Sequence, residues 1–519
     1  MSSTLIVGRS VYAPGIVGAQ AVLFEEEQIV WVGDKFTAQT FKVEVDNYVE
    51  HPDAFIGPGF VDAHIHLSAT GLRLLGADLS AATSWSDLAL RTAKYLSASN
   101  SNRNFLFGWD ESGWPDDFSQ FLDALPQALR VKSFYLARID GHSAVVNQME
   151  DSSGPKVLSG QVRQKYWEEY SSGFDSDFYT QSITAALKKA ASFGVVSVHE
   201  NAGPTVSSKA DFLSVLSVAK SNDLPGVVPY WASADIDEAL ALGAFGVAGD
   251  FSVDGSLGSR TALLTESYSD QPDTRGFAQL SVPEIAAQIV RATRRGVQAG
   301  FHAIGDLACE KVHEGFLQAL TEVTPAQVRA CRHRIEHLSM PTCEALELFA
   351  GLGVVASVQP SFDAYWGTKA GMYESRLGSA RLAQTHPFHK MIEAGMALAF
   401  GSDSPVTQSS PWDWIRAATT HNQVESQISD RAAFNAATRG GHRAARNDAA
   451  GVIQVGHRAD LAIWQVENYN SGQAATVTQS WSTDPRSGLP ALPDLSEGNP
   501  ECLLTVRAGR VIYDRATHV

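Results

Sequence analysis

The central part of the chain is predicted to fold as an α/β protein, a parallel (β/α)8 TIM-like barrel, on three observations. Short apolar runs alternate with helical patterns from residue 58 to residue 448, the signature of a parallel sheet with crossover helices. Four of these runs end in a side chain able to ligate a metal, and strand ends of a parallel barrel converge on one mouth. The length of 519 residues exceeds one ordinary domain but suits a barrel with an insertion and a smaller companion.

Taken in order, residues 1–57 carry alternating segments, Gln20–Phe24 and Gln28–Gly33, broken by Gly and Asp, which read as a small β unit. The barrel strands are expected at Phe60–His64, Val195–His199, Val227–Trp231, Val247–Val253, Ala299–His302, His333–His337, Val354–Val358 and Ala397–Gly401. Met391–Ala394 reads as part of the helix before the last strand, and Trp412–Thr420 as the helix after it. The barrel then comprises 58–67 and 181–448. Residues 68–180 are too many for one crossover helix and hold strand-like Phe105–Trp109 and Ser133–Arg138, so an inserted subdomain near the barrel mouth is expected, shaping substrate access. In 449–519 the β pattern returns in Ala459–Trp464 and Leu503–Tyr513, around a Ser-, Thr-, Gly- and Pro-rich surface excursion, Asn468–Pro500.

The most informative stretch is Ile56–Leu67, where His64 and His66 follow an apolar run that opens after a Pro-Gly turn. Alternate residues of a strand point the same way, so this pair can grip one ion. Three later runs end alike, Val297–His302, Arg332–His337 and Ala397–Asp403. His64, His66, His302, His337 and Asp403 are therefore the candidate metal ligands. Imidazole and carboxylate suit Zn²⁺ and similar divalent ions, which bring the pKa of bound water to about 7 and polarise a carbonyl.

The chain resembles the amidohydrolase superfamily, and more closely its branch of long metal-dependent amidohydrolases that includes N-substituted formamide deformylase. The segments carrying the resemblance are Pro58–His66, Gly108–Asp110, Asp140–His142, Asp254–Ala262, His302–Asp306, Ser357–Pro360 and Gly401–Asp403, in that order. The resemblance implies that both chain ends build one β-sandwich domain. It implies hydrolysis of a carbon–nitrogen bond other than a peptide bond, in an N-acyl or N-formyl amine with an apolar substituent. It also implies that Asp403 acts as general base and then acid, with His337 as a further catalytic group and metal ligand. An Asp capping the following helix is the structural reading of the same residue.

Two-metal relatives bridge their ions with a carboxylated lysine, which in this branch sits four residues before the Asp-Gly-Ser motif. Here that position is Asp250, and no lysine occurs between Lys220 and Lys311. The Asp side chain falls short of a carboxylated lysine by on the order of 4 Å. One ion, zinc, is therefore favoured over two, with Asp250 either a ligand or a polar residue behind the ligands. Substrate contacts are expected from His142, Arg260, Trp109 and Gln359, with Trp114, Arg138, Trp231, Phe251, Tyr365 and Trp366 as further wall candidates. Alternatives are a mononuclear deaminase, disfavoured because Gly305 stands where such enzymes carry a proton-shuttling Glu, and a degenerate barrel that binds a small ligand.

The hydrophobic fraction of 44% is enough for a large core, and the formal charge of -17 argues against nucleic acid or an anionic membrane as partner. A small-molecule substrate is expected, with a homodimer left open. The four cysteines lack metal or disulfide spacing, and the N-terminus lacks a basic leader before an apolar run, so a cytoplasmic protein is expected.

Overall fold

The computed structural model describes residues 2–13, 15, 16, 18–147, 154–470 and 491–517. Its centre holds two parallel arcs. In one, Val195–Ala202 pairs on either side with Phe60–Ile65 and Gly226–Trp231. In the other, Gly300–Ala303, Arg334–His337, Val355–Val358 and Ala397–Phe400 follow one another in chain order. Every residue of Phe60–Ile65, Val195–Ala202 and Arg334–His337 is buried, which explains why these strands show no alternation of apolar and polar residues. Helices cover the outside and share their core with the strands, Ile183, Ile289 and Phe349 packing with Val198, Phe301 and Ile335.

One expected strand is absent. Val247–Val253 forms only single bridges, Val247 to Ala299 and Ser252 to His302, with Gly246 bridged to Tyr230. A further single bridge joins Ile65 to Ser404, between the first and last strands. The ladders thus do not run as one continuous eight-stranded sheet. Gly249, with a φ of 95°, departs from extended backbone in the middle of this segment.

The chain ends meet. A four-stranded sheet orders Gln28–Gly33, Ala21–Glu25, Ser3–Val7 and Asn47–Glu50. A five-stranded sheet orders Ser10–Val11, Ala54–Pro58, Leu461–Gln465, Glu501–Arg507 and Arg510–Asp514. Ile6, Val22 and Phe24 of the first share a core with Ile56, Ile463 and Val506 of the second. Ala54–Pro58 then passes directly into Phe60–Ile65 through Gly59, where a Cβ would lie 2.2 Å from Val196 Cγ1, so only glycine fits the crossing. Residues 471–490 of the expected surface excursion lie outside the described residues.

Between Leu67 and Val195 a separate five-stranded sheet orders Lys156–Ser159, Ser143–Asn147, Phe134–Arg138, Asn104–Trp109 and Ala77–Asp78. Alternation divides its faces. Leu106, Phe134 and Leu136 pack against Trp85, Leu88 and Phe121, whereas Phe105, Phe107 and Tyr135 face Trp167 and Tyr170. No helix among the described residues is long and apolar enough to cross a membrane.

Candidate functional site

His64 lies on Phe60–Ile65, and His66 follows it one residue before the helix Leu67–Leu75. His64 Nε2 is 3.3 Å from Asp403 Oδ1 and 3.6 Å from Asp250 Oδ1. His66 Nε2 is 3.0 Å from Asp403 Oδ1 and 3.2 Å from Asp250 Oδ2. Three interlocking groups, His64 with His337 and Asp403, His64 with His66 and Asp250, and Asp250 with His302 and His337, each bring their ligand atoms within 4.8 Å of one another. All five side chains expected as ligands are thus gathered, with Asp250 among them. His64 Nε2 and Asp250 Oδ1 are buried without a hydrogen-bond partner among the described residues. Buried polar atoms left in this way point to a missing partner.

Irregular backbone makes this convergence possible. His337 and Asp403, at strand ends, have φ of 68° and 54°, in the left-handed region that costs a non-glycine residue on the order of 1–3 kcal/mol. The Leu338 N–H donates to Glu336 O at 2.8 Å, turning the chain immediately around His337. Asp250 sits in a similar tight turn, with Phe251 N–H donating to Gly249 O at 2.8 Å. Asp250, expected either as a ligand or as a polar residue behind the ligands, stands through this turn 3.6 Å from His64 Nε2 and 3.2 Å from His66 Nε2.

A set of buried partners orients the imidazoles. His64 Nδ1 lies 2.9 Å from Glu336 Oε2, and neither side chain is exposed. Arg334 holds Glu336 through Nε at 2.5 Å and Nη2 at 3.0 Å, and also donates to Ala63 O and Ser357 Oγ. Gln359 Oε1 accepts from His337 Nδ1 at 2.8 Å, which leaves Nε2 free to face the site. His302 Nδ1 is 3.4 Å from Asp254 Oδ1, and Asp254 also accepts the backbone N–H groups of Leu263, Ile304 and Gly305.

The charges form one coupled set. Burial favours neutral imidazoles, yet the Asp250 and Asp403 carboxylates prevail, holding His64 well above the usual histidine range and raising His66 to about 10. Burial likewise opposes ionised Asp250 and Asp403, but the histidines around them hold both below the ordinary carboxylate range. Without a cation the imidazoles hold protons; a divalent ion would displace them. Glu336, although buried, is lowered to about 2 by Arg334 and His64.

A cavity of about 1160 Å³, counted to its open mouth, extends from His66, Asp250, His302, His337 and Asp403 to the inserted sheet. His142 lines it as expected, and also a smaller neighbouring cavity that Trp366 borders. Three expected substrate contacts are placed elsewhere. Trp109 is buried in the inserted subdomain, its Nε1 donating to Leu136 O. Arg260 is paired with Asp270, and Gln359 is fully buried behind His337. Among the wall candidates, Arg138 is buried amid Asp110, Glu111 and Asp140, Trp231 packs tilted against Phe212 and Phe251 against Phe301, Trp114 meets Trp85 edge to face, and Tyr365 is largely exposed. Glu336 and Arg334 were not singled out from the sequence. Their signal was two opposite charges two residues apart within an otherwise buried strand.

The Amidohydrolase family model matches residues 53–513. The chain is 27% identical over 412 residues to the putative amidohydrolase YtcJ of Bacillus subtilis (strain 168), covering 72% of this chain and 75% of that protein. It is 26% identical over 450 residues to the protein LONG AFTER FAR-RED 3 of Arabidopsis thaliana, covering 77% and 74%. An uncharacterized metal-dependent hydrolase from Pyrococcus furiosus superposes with a TM-score of 0.70 at 24% identity, over 90% of this chain and 99% of that one, a likeness that shows an α/β fold with a TIM-barrel-like domain. The chain therefore belongs to the Amidohydrolase family and is an enzyme that hydrolyses carbon–nitrogen bonds other than peptide bonds.

Proposed function

We propose that this enzyme hydrolyses an N-acyl or N-formyl amine with an apolar substituent, in the manner of the long amidohydrolases that include N-substituted formamide deformylase. His64, His66, Asp250 and Asp403 would hold one zinc ion. The observation that carries the reading is the convergence of these donors: Asp403 Oδ1 lies 3.3 Å from His64 Nε2 and 3.0 Å from His66 Nε2, and the two Asp250 oxygens lie 3.6 Å and 3.2 Å from the same nitrogens. Four ligands at about 2.0–2.1 Å around a tetrahedral ion lie about 3.3 Å apart. Charge agrees, because the two carboxylates balance one dication beside neutral imidazoles, whereas two dications would leave a buried excess. Nitrogen and carboxylate donors suit zinc.

Bound there, the ion supplies Lewis acidity and a nucleophilic water near neutral pH. Asp403 takes the proton of the attacking water and returns it to the departing amine nitrogen. His302 and His337 line the cavity beside this group, and His337, whose Nδ1–H donates to Gln359, turns the lone pair of Nε2 towards it as a further donor for the ion. Gln359 and Asp254 fix their rings. We further read 1–57 with 449–519 as a β-sandwich unit, 58–67 with 181–448 as the barrel, and 68–180 as a subdomain over its mouth, a division supported by the common core of the chain ends. The Asp403→Asn variant tests the mechanism: bound metal is retained while turnover falls by roughly 10²–10⁴-fold. Near-normal turnover would overturn it.

A further inference from the structure

The cavity contains one cationic side chain that the hydrolytic reading does not use. Its wall on the inserted subdomain is aromatic, built from Phe105, Phe107, Tyr135 and Trp167. Arg163, on the helix Gly160–Ser171, is half-buried in that wall and, among the described residues, is the only Arg or Lys that lines the cavity. Its Nη1 donates to the Tyr135 hydroxyl at 3.3 Å, and among the described residues no carboxylate lies within ion-pair reach of it.

The other charges of the cavity are accounted for. Asp140 accepts from Arg138 at 2.8 Å and from the Ser256 and Ser259 hydroxyls, also at 2.8 Å. Asp250 and Asp403 face the histidines. Arg163 therefore remains as a cation with a neutral partner, set in an aromatic wall of a protein whose formal charge is -17. A guanidinium is always charged, and its planar fork matches a carboxylate with two parallel hydrogen bonds.

We propose that Arg163 binds a free carboxylate of the substrate, which makes the preferred substrate an anionic amide: an acylated amino acid, or a related amide acid, with a large apolar or aromatic group seated against the Phe105 and Phe107 wall. This rests on the amide-hydrolase reading above and narrows its substrate class. Tyr135 holds the guanidinium in place, and the aromatic wall beside it lowers the local dielectric, which strengthens the pair.

The test compares racemic N-formylphenylalanine with N-formylphenethylamine, which differ only in the carboxylate, on zinc-loaded wild type, Arg163→Lys and Arg163→Ala. Wild type is expected to favour the acid by about 10- to 100-fold in kcat/KM, chiefly through KM. In Arg163→Ala the ratio falls towards unity. Arg163→Lys lies between, because an ammonium keeps the charge but not the fork. Turnover of both amides without preference, or a preference that survives Arg163→Ala, overturns the carboxylate assignment and leaves the hydrolase reading standing. If neither amide is turned over, the N-formyl amine reading is what fails. Arg163 is then judged by calorimetric binding of 3-phenylpropionate to the same zinc-loaded proteins. Binding about 10-fold weaker in Arg163→Ala upholds its role, and equal binding in both proteins overturns it. Matching far-UV spectra and melting temperatures among the variants exclude misfolding as the cause.

Discussion

Glu336→Gln removes a single charge from the buried support of the metal group, and the structure sets the size of the effect. Arg334 would keep Ala63 O, Ser357 Oγ and His199 Nδ1, all neutral partners, since burial and Arg334 hold His199 well below the usual histidine range. Leaving one member of a buried ion pair alone costs about 3–5 kcal/mol. The depression of the Glu336 carboxyl from 4.5 to about 2 corresponds to about 3 kcal/mol, the same order by a separate route. His64 also exchanges the carboxylate at its Nδ1 for an amide that must share one oxygen with Arg334, and such changes behind a ligand typically weaken metal binding by about 10- to 100-fold. Urea unfolding of the metal-free protein reads the first effect, and zinc competition against a chromophoric chelator reads the second. In the double variant Arg334→Met with Glu336→Gln, part of the lost stability should return, because no charge is then left buried alone. A loss of less than about 1 kcal/mol together with unchanged zinc affinity would refute the reasoning, because the pair would then be contributing neither charge nor orientation.

Two further outcomes follow from the same geometry. Glu336 and Asp140 both have folded pKa values of about 2, below their ordinary 4.5 and 3.8, so their contribution is complete above those ordinary values and is lost as pH falls towards 2. Metal-free protein should therefore lose stability on acidification through that window, and Asp140→Asn should remove a share of about 2 kcal/mol from the pH dependence measured by denaturant titration. Gly401→Ala would place a Cβ 2.5 Å from the His64 backbone nitrogen, so the strand must shift. Such overpacking costs about 1–3 kcal/mol in unfolding experiments and should also reduce retained metal, because His64 moves with its backbone.

The legibility of this protein in its sequence follows the regularity of its backbone. His64 and His66 could be paired because strand side chains alternate, and the strand ends at His302, His337 and Asp403 were visible as apolar runs closed by a ligand. The chain ends were legible as β segments for the same reason. Asp250 stayed open between a ligand and a polar residue behind the ligands because its reach depends on the turn at Gly249–Phe251, and a turn that departs from strand geometry leaves no periodic signal. Trp109, Arg260 and Gln359 stand in or beside motif segments, but a motif does not say which way a side chain points. Trp109 turns into the inserted subdomain, Arg260 to Asp270, and Gln359 behind His337. The Arg334–Glu336 pair was hidden for the opposite reason, since its partner His64 lies 272 residues away.

The central claim is that separate strand ends and one turn deliver their donors to a single cation, and metal analysis tests it most directly. Protein purified without chelator and reconstituted with zinc should carry one ion per chain by plasma mass spectrometry. In Asp250→Ala and in His64→Ala the occupancy should fall well below that. Stoichiometry near zero in the wild type, two ions per chain, or full occupancy in both variants would contradict the account.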